Sequence, residues 1–154
     1  MSGEVISIHI TPKAEAPMCA VAEVRAVPGR GLEGDRYYEH TGTYSDTPGT
    51  GRDITLIEIE QIEVVESQLC EKLQPGASRR NVTTRGVSLN ELVDQEFRVG
   101  EVVLRGMRLC EPCDYLQKHV GVDGLTKAFV HRSGLRCDIV RGGTIHVGDE
   151  IVTS

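Results

Sequence analysis

What most narrows the fold of this chain is a repeated alternation of apolar and polar residues in segments of four to nine residues, each closed by a turn-forming dipeptide. Residues 4–10 (EVISIHI) and 19–27 (CAVAEVRAV) alternate with the period of half-buried strands. Strand-like segments return at 53–57, 96–99, 101–109, 135–141 and 144–152, punctuated by Val99-Gly100, Gly142-Gly143 and Gly148-Asp149. Short strands joined by tight turns predict a mainly β fold with a few short helices, its sheet antiparallel and barrel-like.

One helix stands out against this pattern. From about residue 58 to 73, Ile59, Ile62, Val65, Leu69 and Leu73 recur at three- and four-residue steps while Glu58, Glu63 and Glu66 face elsewhere, and Pro75-Gly76 is the expected stop. Short helices are expected at 114–119 and 123–130. Between Pro28 and Arg52 the chain is rich in Gly and nearly devoid of aliphatic side chains, which predicts a long loop. Loops of that length usually bind something. No repeat, low-complexity tract or linker divides the 154 residues, so residues 1–154 are expected to form one domain around one core.

Charge and hydropathy exclude several classes. A formal charge of −6 disfavours a general nucleic-acid partner, because such binders neutralise phosphates with an excess of Lys and Arg. No apolar run approaches the roughly 20 residues that cross a bilayer. The N-terminus lacks the basic and apolar regions of a signal peptide, so no membrane partner and a cytoplasmic location are expected. Five cysteines, an odd number without an export signal, read as thiols and not as a disulfide framework. Cys19, Cys70 and Cys137 lie within apolar patterns and are assigned to packing.

Three motifs carry chemistry. Gly29, Gly31 and Gly34 form a G-x-G-x-x-G, but the residues that follow, DRYYEHTGTYSDTPGTG, cannot open the helix that would hold a pyrophosphate, so the glycines serve loop geometry. Cys110 and Cys113 form a C-x-x-C. No second pair of Cys or His completes a zinc set, and the antiparallel surroundings disfavour a thioredoxin-like site. What remains is one thiol, Cys113, after a strand that Pro112 breaks and at the start of a predicted helix, whose N-terminus stabilises a thiolate. Glu111 and Asp114 oppose that shift, so a nearby Arg is required; a structural cysteine capping a turn is the competing reading. The third motif, residues 78–86, gathers Arg79, Arg80, Asn81, Thr83, Thr84 and Arg85 without an acid. These groups suit a phosphate or other oxyanion; alternatively the arginines pair with the Glu-rich helix before them. His131, Arg132, Ser133 and Arg136 offer the same chemistry less specifically.

Taken in order, Gly34-Asp35-Arg36, Asp53-Ile54-Thr55-Leu56-Ile57-Glu58, Arg80-Asn81-Val82-Thr83-Thr84-Arg85-Gly86, Leu109-Cys110-Glu111-Pro112-Cys113 and Gly142-Gly143-Thr144-Ile145-His146-Val147-Gly148-Asp149 resemble the MOSC domain, the C-terminal domain of molybdenum-cofactor sulfurases. The resemblance spans residues 34 to 149. It implies a β-rich, barrel-like fold and a pocket for the molybdenum cofactor (molybdopterin) or a related sulfur-bearing anion. It makes Cys113 the functional thiol, either carrying sulfur as a persulfide or ligating molybdenum, with Arg80, Asn81, Asp35 and Arg36 at matching positions beside the ligand. The long loop is expected to border the same pocket. The chain has no room for the pyridoxal-phosphate domain of the full sulfurase, so a cysteine desulfurase is the implied sulfur donor and a molybdoenzyme or other sulfur acceptor the implied recipient. The alternatives are a molybdenum-dependent reductase with Cys113 as permanent metal ligand, and a binding module that makes no bond of its own. Cys110, an extra thiol, could close a disulfide with Cys113.

Overall fold

A computed structural model describes residues 2–12, 18–35, 53–70, 72–73, 79–110, 128 and 132–153. In chain order the elements are β1 (Ser2–Ile10), β2 (Cys19–Val21), β3 (Glu23–Val27), β4 (Gly31–Leu32), β5 (Ile54–Glu58), α1 (Ile59–Leu69), β6 (Val82–Arg85), β7 (Glu96–Val99), β8 (Val102–Leu109), β9 (Leu135–Arg141), β10 (Gly143–His146) and β11 (Glu150–Thr153), with a single 3-10 turn at Leu89–Leu92 before β7.

The larger sheet runs β11-β7-β8-β9-β5-β6-β1-β2, and β11 also pairs with β1, so seven strands close on themselves as a barrel. Closure leaves none of the seven as an open edge. One edge of β1 is shared: its first residues pair with β11 and its last with β2, while β6 occupies the other edge. A smaller sheet, β10-β3-β4, completes the fold. Val5, Ile8, Ile54, Leu56, Val82, Leu104, Leu135, Cys137, Ile139 and Ile151 fill the barrel, and Val24, Ala26, Leu32 and Ile145 of the smaller sheet join the same cluster. Each large aliphatic side chain so buried contributes about 1.5–3 kcal/mol.

The sheet is mixed where antiparallel pairing was expected, because β5 and β6 run parallel with Leu56 opposite Val82 and Glu58 opposite Thr84. The cause is α1, which connects them and packs on the outside of β5: Ile57 meets Val65, Leu73 and Ala128 in a second apolar cluster. A strand covered on both faces is buried throughout, as Ile54–Ile57 is, with Thr55 the one polar residue of the four. The helix ends earlier than its periodicity suggests. Cys70 adopts a left-handed conformation (φ 52°) and its N–H donates to Glu66 O, closing the last turn. Leu73 keeps its place in the pattern because the chain turns back onto the same cluster, with Glu66 Oε2 accepting from Leu73 N at 2.7 Å. Pro75-Gly76 and the helices expected at 114–119 and 123–130 lie outside the described residues, except that Ala128 is helical.

Smaller corrections follow from the same chain geometry. The strand expected over 19–27 is broken at Ala22 and its halves join different sheets. Gly31–Leu32, expected to be loop, pairs with β3, and Gly31 (φ +111°) lies so close to Asp53 O that a Cβ would approach within 2.8 Å. The segment 144–152 is two strands with the turn at Gly148-Asp149 between them. Cys137 is buried as expected, but Cys19 and Cys70 are exposed and do no packing.

Candidate functional site

Alternation along each barrel strand fixes which side chains face away from the core. Ile8 and Ile10 point inward and leave His9 outward. Ile54 and Leu56 do the same for Thr55, and Leu135 and Cys137 for Arg136. On β8 a register shift between Gly106 and Arg108 changes the phase, so Leu109 packs on the core while Arg108 and Cys110 take the outer face.

Interstrand register then aligns these residues in one row across five strands. His9 N donates to Asn81 O at 2.7 Å, Asn81 N donates to Thr55 O at 3.1 Å, Thr55 pairs with Arg136, and Arg136 pairs with Arg108. Cys110 stands two residues beyond Arg108, with its N–H donating to Gly134 O at 2.8 Å. Half-buried strands should expose such polar side chains to water. Here His9 (4% exposed), Thr55 (3%), Asn81 (1%) and Thr83 (6%) are buried.

Asn81 is the fastener of the row. Its Oδ1 accepts from Thr55 N and Thr55 Oγ1, both at 3.1 Å, and its Nδ2 donates to His9 O at 3.1 Å. These bonds hold β6 to β5 and β1, so Asn81 positions the site more than it offers atoms to a ligand. Arg80 reaches over to the segment before β9, donating from Nε to Ser133 O at 2.8 Å and from Nη2 to Ser133 Oγ at 2.6 Å. That contact brings Arg80 beside Arg132 and the entrance to β9. Asp35 is fully buried, and its Oδ1 accepts from Thr11 N at 3.2 Å, two residues beyond His9. It thereby ties the start of the long loop to β1.

The remaining sites predicted from sequence are distributed differently. Thr83 is on the outer face, one step from Asn81. Arg85 is exposed opposite Glu4, roughly 13 Å along β6 from Asn81, and does not join the row. Arg136 belongs to the row itself, and its Nη1 is buried without a hydrogen bond although the residue has interactions elsewhere. Cys113 and Arg36, with the rest of the loop from Arg36 to Arg52, lie outside the described residues. The competing idea that α1 glutamates pair with the arginine cluster meets a different geometry: Glu58 Oε2 accepts from Leu89 N at 3.2 Å and Glu60 Oε2 from Gly86 N at 2.9 Å. Burial pushes the Glu58 carboxyl up from its ordinary pKa, against the opposing bond from Leu89.

His9, Thr55 and Arg108 escaped the sequence reading. Each sits on the polar phase of an alternating strand, where the pattern predicts solvent, and nothing local marks them as neighbours. Burial lowers the pKa of His9 below its ordinary value, so the ring is neutral at pH 7. Its Nδ1 is buried and makes no hydrogen bond. Burial also raises the Cys137 thiol well above its ordinary pKa, with Cys110 and Asp138 adding to the effect. An open cleft of about 320 Å³ between Arg25–Pro28, Glu101 and Gly142–Thr144 is remote from the row: seven residues of chain, roughly 23 Å of strand, separate Glu101 from Arg108.

A family model for the MOSC domain matches residues 39–152. The chain belongs to the MOSC domain family. This family is associated with the molybdenum cofactor. Among solved structures, the YuaD protein from Bacillus subtilis superposes with a TM-score of 0.80 at 16% identity, covering 98% of this chain and 94% of that one. YiiM from Geobacillus stearothermophilus gives 0.77 at 18% identity, covering 99% and 75%, and YiiM from Escherichia coli gives 0.69 at 17%, covering 98% and 70%. At these identities the likeness establishes the shared barrel and no more. No curated protein sequence matches the chain. Among the described residues no helix is long and apolar enough to cross a membrane.

Proposed function

We propose that this MOSC domain binds the molybdenum cofactor, or a related sulfur-bearing anion, against the outer-face row, and moves sulfur through the thiol of Cys113. The observation that carries this reading is the pairing of half-buried Arg136 on β9 with exposed Arg108 on β8, with half-buried Arg80 held at the head of β9 through Ser133, next to the strand that leads into Cys110-Glu111-Pro112-Cys113. Three residues of extended chain span at most about 11 Å, so the proposed thiol follows closely on a residue of that face. The residues fit an anionic, hydrogen-bonding ligand. Guanidiniums bind phosphate oxygens through charge-assisted pairs, and the buried His9 Nδ1 leaves a hydrogen-bonding position open. When bound, the cofactor would supply a soft metal that accepts sulfur ligands.

In this reading the Cys113 thiolate attacks the outer sulfur of a donor persulfide, the donor S–S bond breaks, and the donor leaves as its thiolate. Attack of an acceptor thiolate on the same sulfur returns Cys113 as thiolate, so no oxidant or reductant enters. The donor is a cysteine desulfurase and the recipient a molybdoenzyme or other sulfur acceptor. The experiment is purification from a host that makes the cofactor, followed by measurement of molybdenum, pterin and cyanide-releasable sulfur. Sulfur present in the wild type and absent in Cys113→Ser supports the carrier. Bound molybdenum without releasable sulfur transfers the assignment to a reductase with Cys113 as metal ligand, and absence of metal, pterin and sulfur alike overturns the proposal.

A further inference from the structure

The smaller sheet has an outer face that neither the core nor the proposed cofactor site uses. On β3, Val24 and Ala26 point into the core, which turns Arg25 and Val27 outward; on β10, Ile145 points in and Thr144 out. Register sets Thr144 directly opposite Arg25. The Thr144 N–H donates to Glu101 Oε2 at 3.1 Å, so the Glu101 carboxylate lies against the edge of β10 that faces away from β3. Thr144 therefore stands between a guanidinium and a carboxylate, and all three line the open cleft of about 320 Å³ that Val27, Pro28, Gly142 and Gly143 complete.

Two properties distinguish this cleft from a gap in packing. Glycine is needed to shape it: a Cβ at Gly143 would collide with the Glu101 carboxylate, and one at Gly142 would come within 2.7 Å of Ala26 O and 2.9 Å of Pro28 Cδ. The charges that line it also stay apart. Neither Arg25 nor Glu101 forms an ion pair among the described residues, although they are opposite in sign and border the same cleft. A ligand that satisfies both must carry an anion and a cation a few bonds apart. The volume is at the lower end of the ~300–1,000 Å³ of small-molecule sites, which suits a molecule of amino-acid size. Val27 and Pro28 add an apolar wall beside Arg25.

We propose that this cleft binds a free α-amino acid with an apolar side chain. Arg25 pairs with its carboxylate, Glu101 Oε1 accepts from its ammonium group, and Val27 and Pro28 cover its side chain. The cleft is separate from the cofactor row, so either assignment can fail without the other.

The test is an NMR titration of 15N-labelled protein with L-valine, L-valinamide, which lacks the carboxylate, and N-acetyl-L-valine, which lacks the ammonium group. L-Valine is expected to shift the amides of Arg25–Val27 and Gly142–Thr144 with a Kd of about 1 mM or tighter. Each derivative should bind about tenfold more weakly, the effect of one lost charge-assisted hydrogen bond. Arg25→Gln should weaken valine about tenfold and leave valinamide unaffected. Glu101→Gln, which keeps an acceptor for Thr144 N, should weaken valine and leave N-acetylvaline unaffected. Both residues are exposed, so both variants should melt close to wild type. No shift at about 10 mM valine, shifts confined to other parts of the chain, or equal binding of all three compounds overturns the proposal. Should Glu101→Gln lose stability, Arg25→Gln decides alone, and unchanged valine affinity in that variant overturns it.

Discussion

Replacing Asn81 with Ala separates a positioning residue from a binding one. The side chain is 1% exposed and makes three hydrogen bonds that link β6 to its neighbours on both sides. Its removal leaves the Thr55 backbone N–H without an acceptor in a buried setting, which costs about 1–3 kcal/mol. The His9 carbonyl loses a donor, a further contribution of about 0.5–1.5 kcal/mol. Thr55 Oγ1 still accepts from Asn81 N at 3.0 Å, since that donor is backbone, so it adds little. A total of about 3 kcal/mol is a large part of the ~5–15 kcal/mol that holds an ordinary domain together. For a chain of this size it corresponds to a fall in Tm of roughly 6–12 °C. Thermal and urea unfolding of cofactor-free protein measure it directly, and Asn81→Asp, which keeps the acceptor but turns an oxygen toward the His9 carbonyl, should be destabilised as well. A loss below about 0.5 kcal/mol in Asn81→Ala would refute the reasoning. Unchanged stability with lost ligand binding would return Asn81 to direct contact with the cofactor.

Three further outcomes are expected. Arg80→Ala should weaken binding of inorganic phosphate or molybdate about tenfold by calorimetry and, through the lost bonds to Ser133, lower stability modestly; unchanged anion binding would remove Arg80 from the site. Under iodoacetamide, peptide mass spectrometry should find exposed Cys19 and Cys70 modified well before buried Cys110 and Cys137, with Cys137 slowest because burial raises its thiol pKa; alkylation of Cys137 at the rate of Cys19 would contradict the fold. For Asp53, burial raises the carboxyl pKa above 3.8 against opposing bonds from Ile139 and Gly29 N–H groups, with Asp138 adding to the rise. The native state therefore holds a proton that the unfolded state has released, so this group's contribution is complete below the unfolded pKa and is lost as pH rises through the folded one. Asp53→Asn, which can still accept both amides, should gain stability relative to wild type between pH 3 and 7, and a flat or reversed difference would rule the effect out.

How much of this molecule could be read from its sequence depends on what each segment's neighbours are. β8, β9 and β7 were legible because each borders a tight turn and buries one face, so alternation and glycine mark both limits. β6 was not, because Val82-Thr83-Thr84-Arg85 is polar by composition yet has three of four residues buried. Its hydroxyls are matched within the sheet region, as Thr84 Oγ1 donating to Ile57 O at 3.4 Å shows, and local composition carries no trace of such partners. The parallel β5–β6 pair was missed for a related reason. Periodicity reveals a helix between two segments but not that the second strand returns beside the first.

The site follows the same logic at longer range. Arg80, Asn81 and Arg136 drew attention as residue types suited to an oxyanion, and the fold does bring their strands together. Yet their roles differ in ways that spacing cannot encode: Asn81 is consumed by Thr55 and His9, Arg80 is anchored on Ser133, and Arg85, five residues after Arg80, stands exposed beyond the row. His9, Thr55, Asn81, Arg108 and Arg136 become neighbours only because successive strands register at those positions. A one-residue slip of β1 against β6 would turn His9 toward the core and Ile8 toward the arginines. The two bonds between His9 and Asn81 carry that register one step beyond the four β1–β6 pairs from Glu4–Arg85 to Ile8–Val82, and so help set which face His9 occupies. Asn81→Ala should therefore loosen this corner of β1, β5 and β6 together, and pairing it with Thr55→Ala should cost less stability in urea unfolding than the sum of the two single losses, because the two side chains bond each other; strictly additive losses would contradict the coupling.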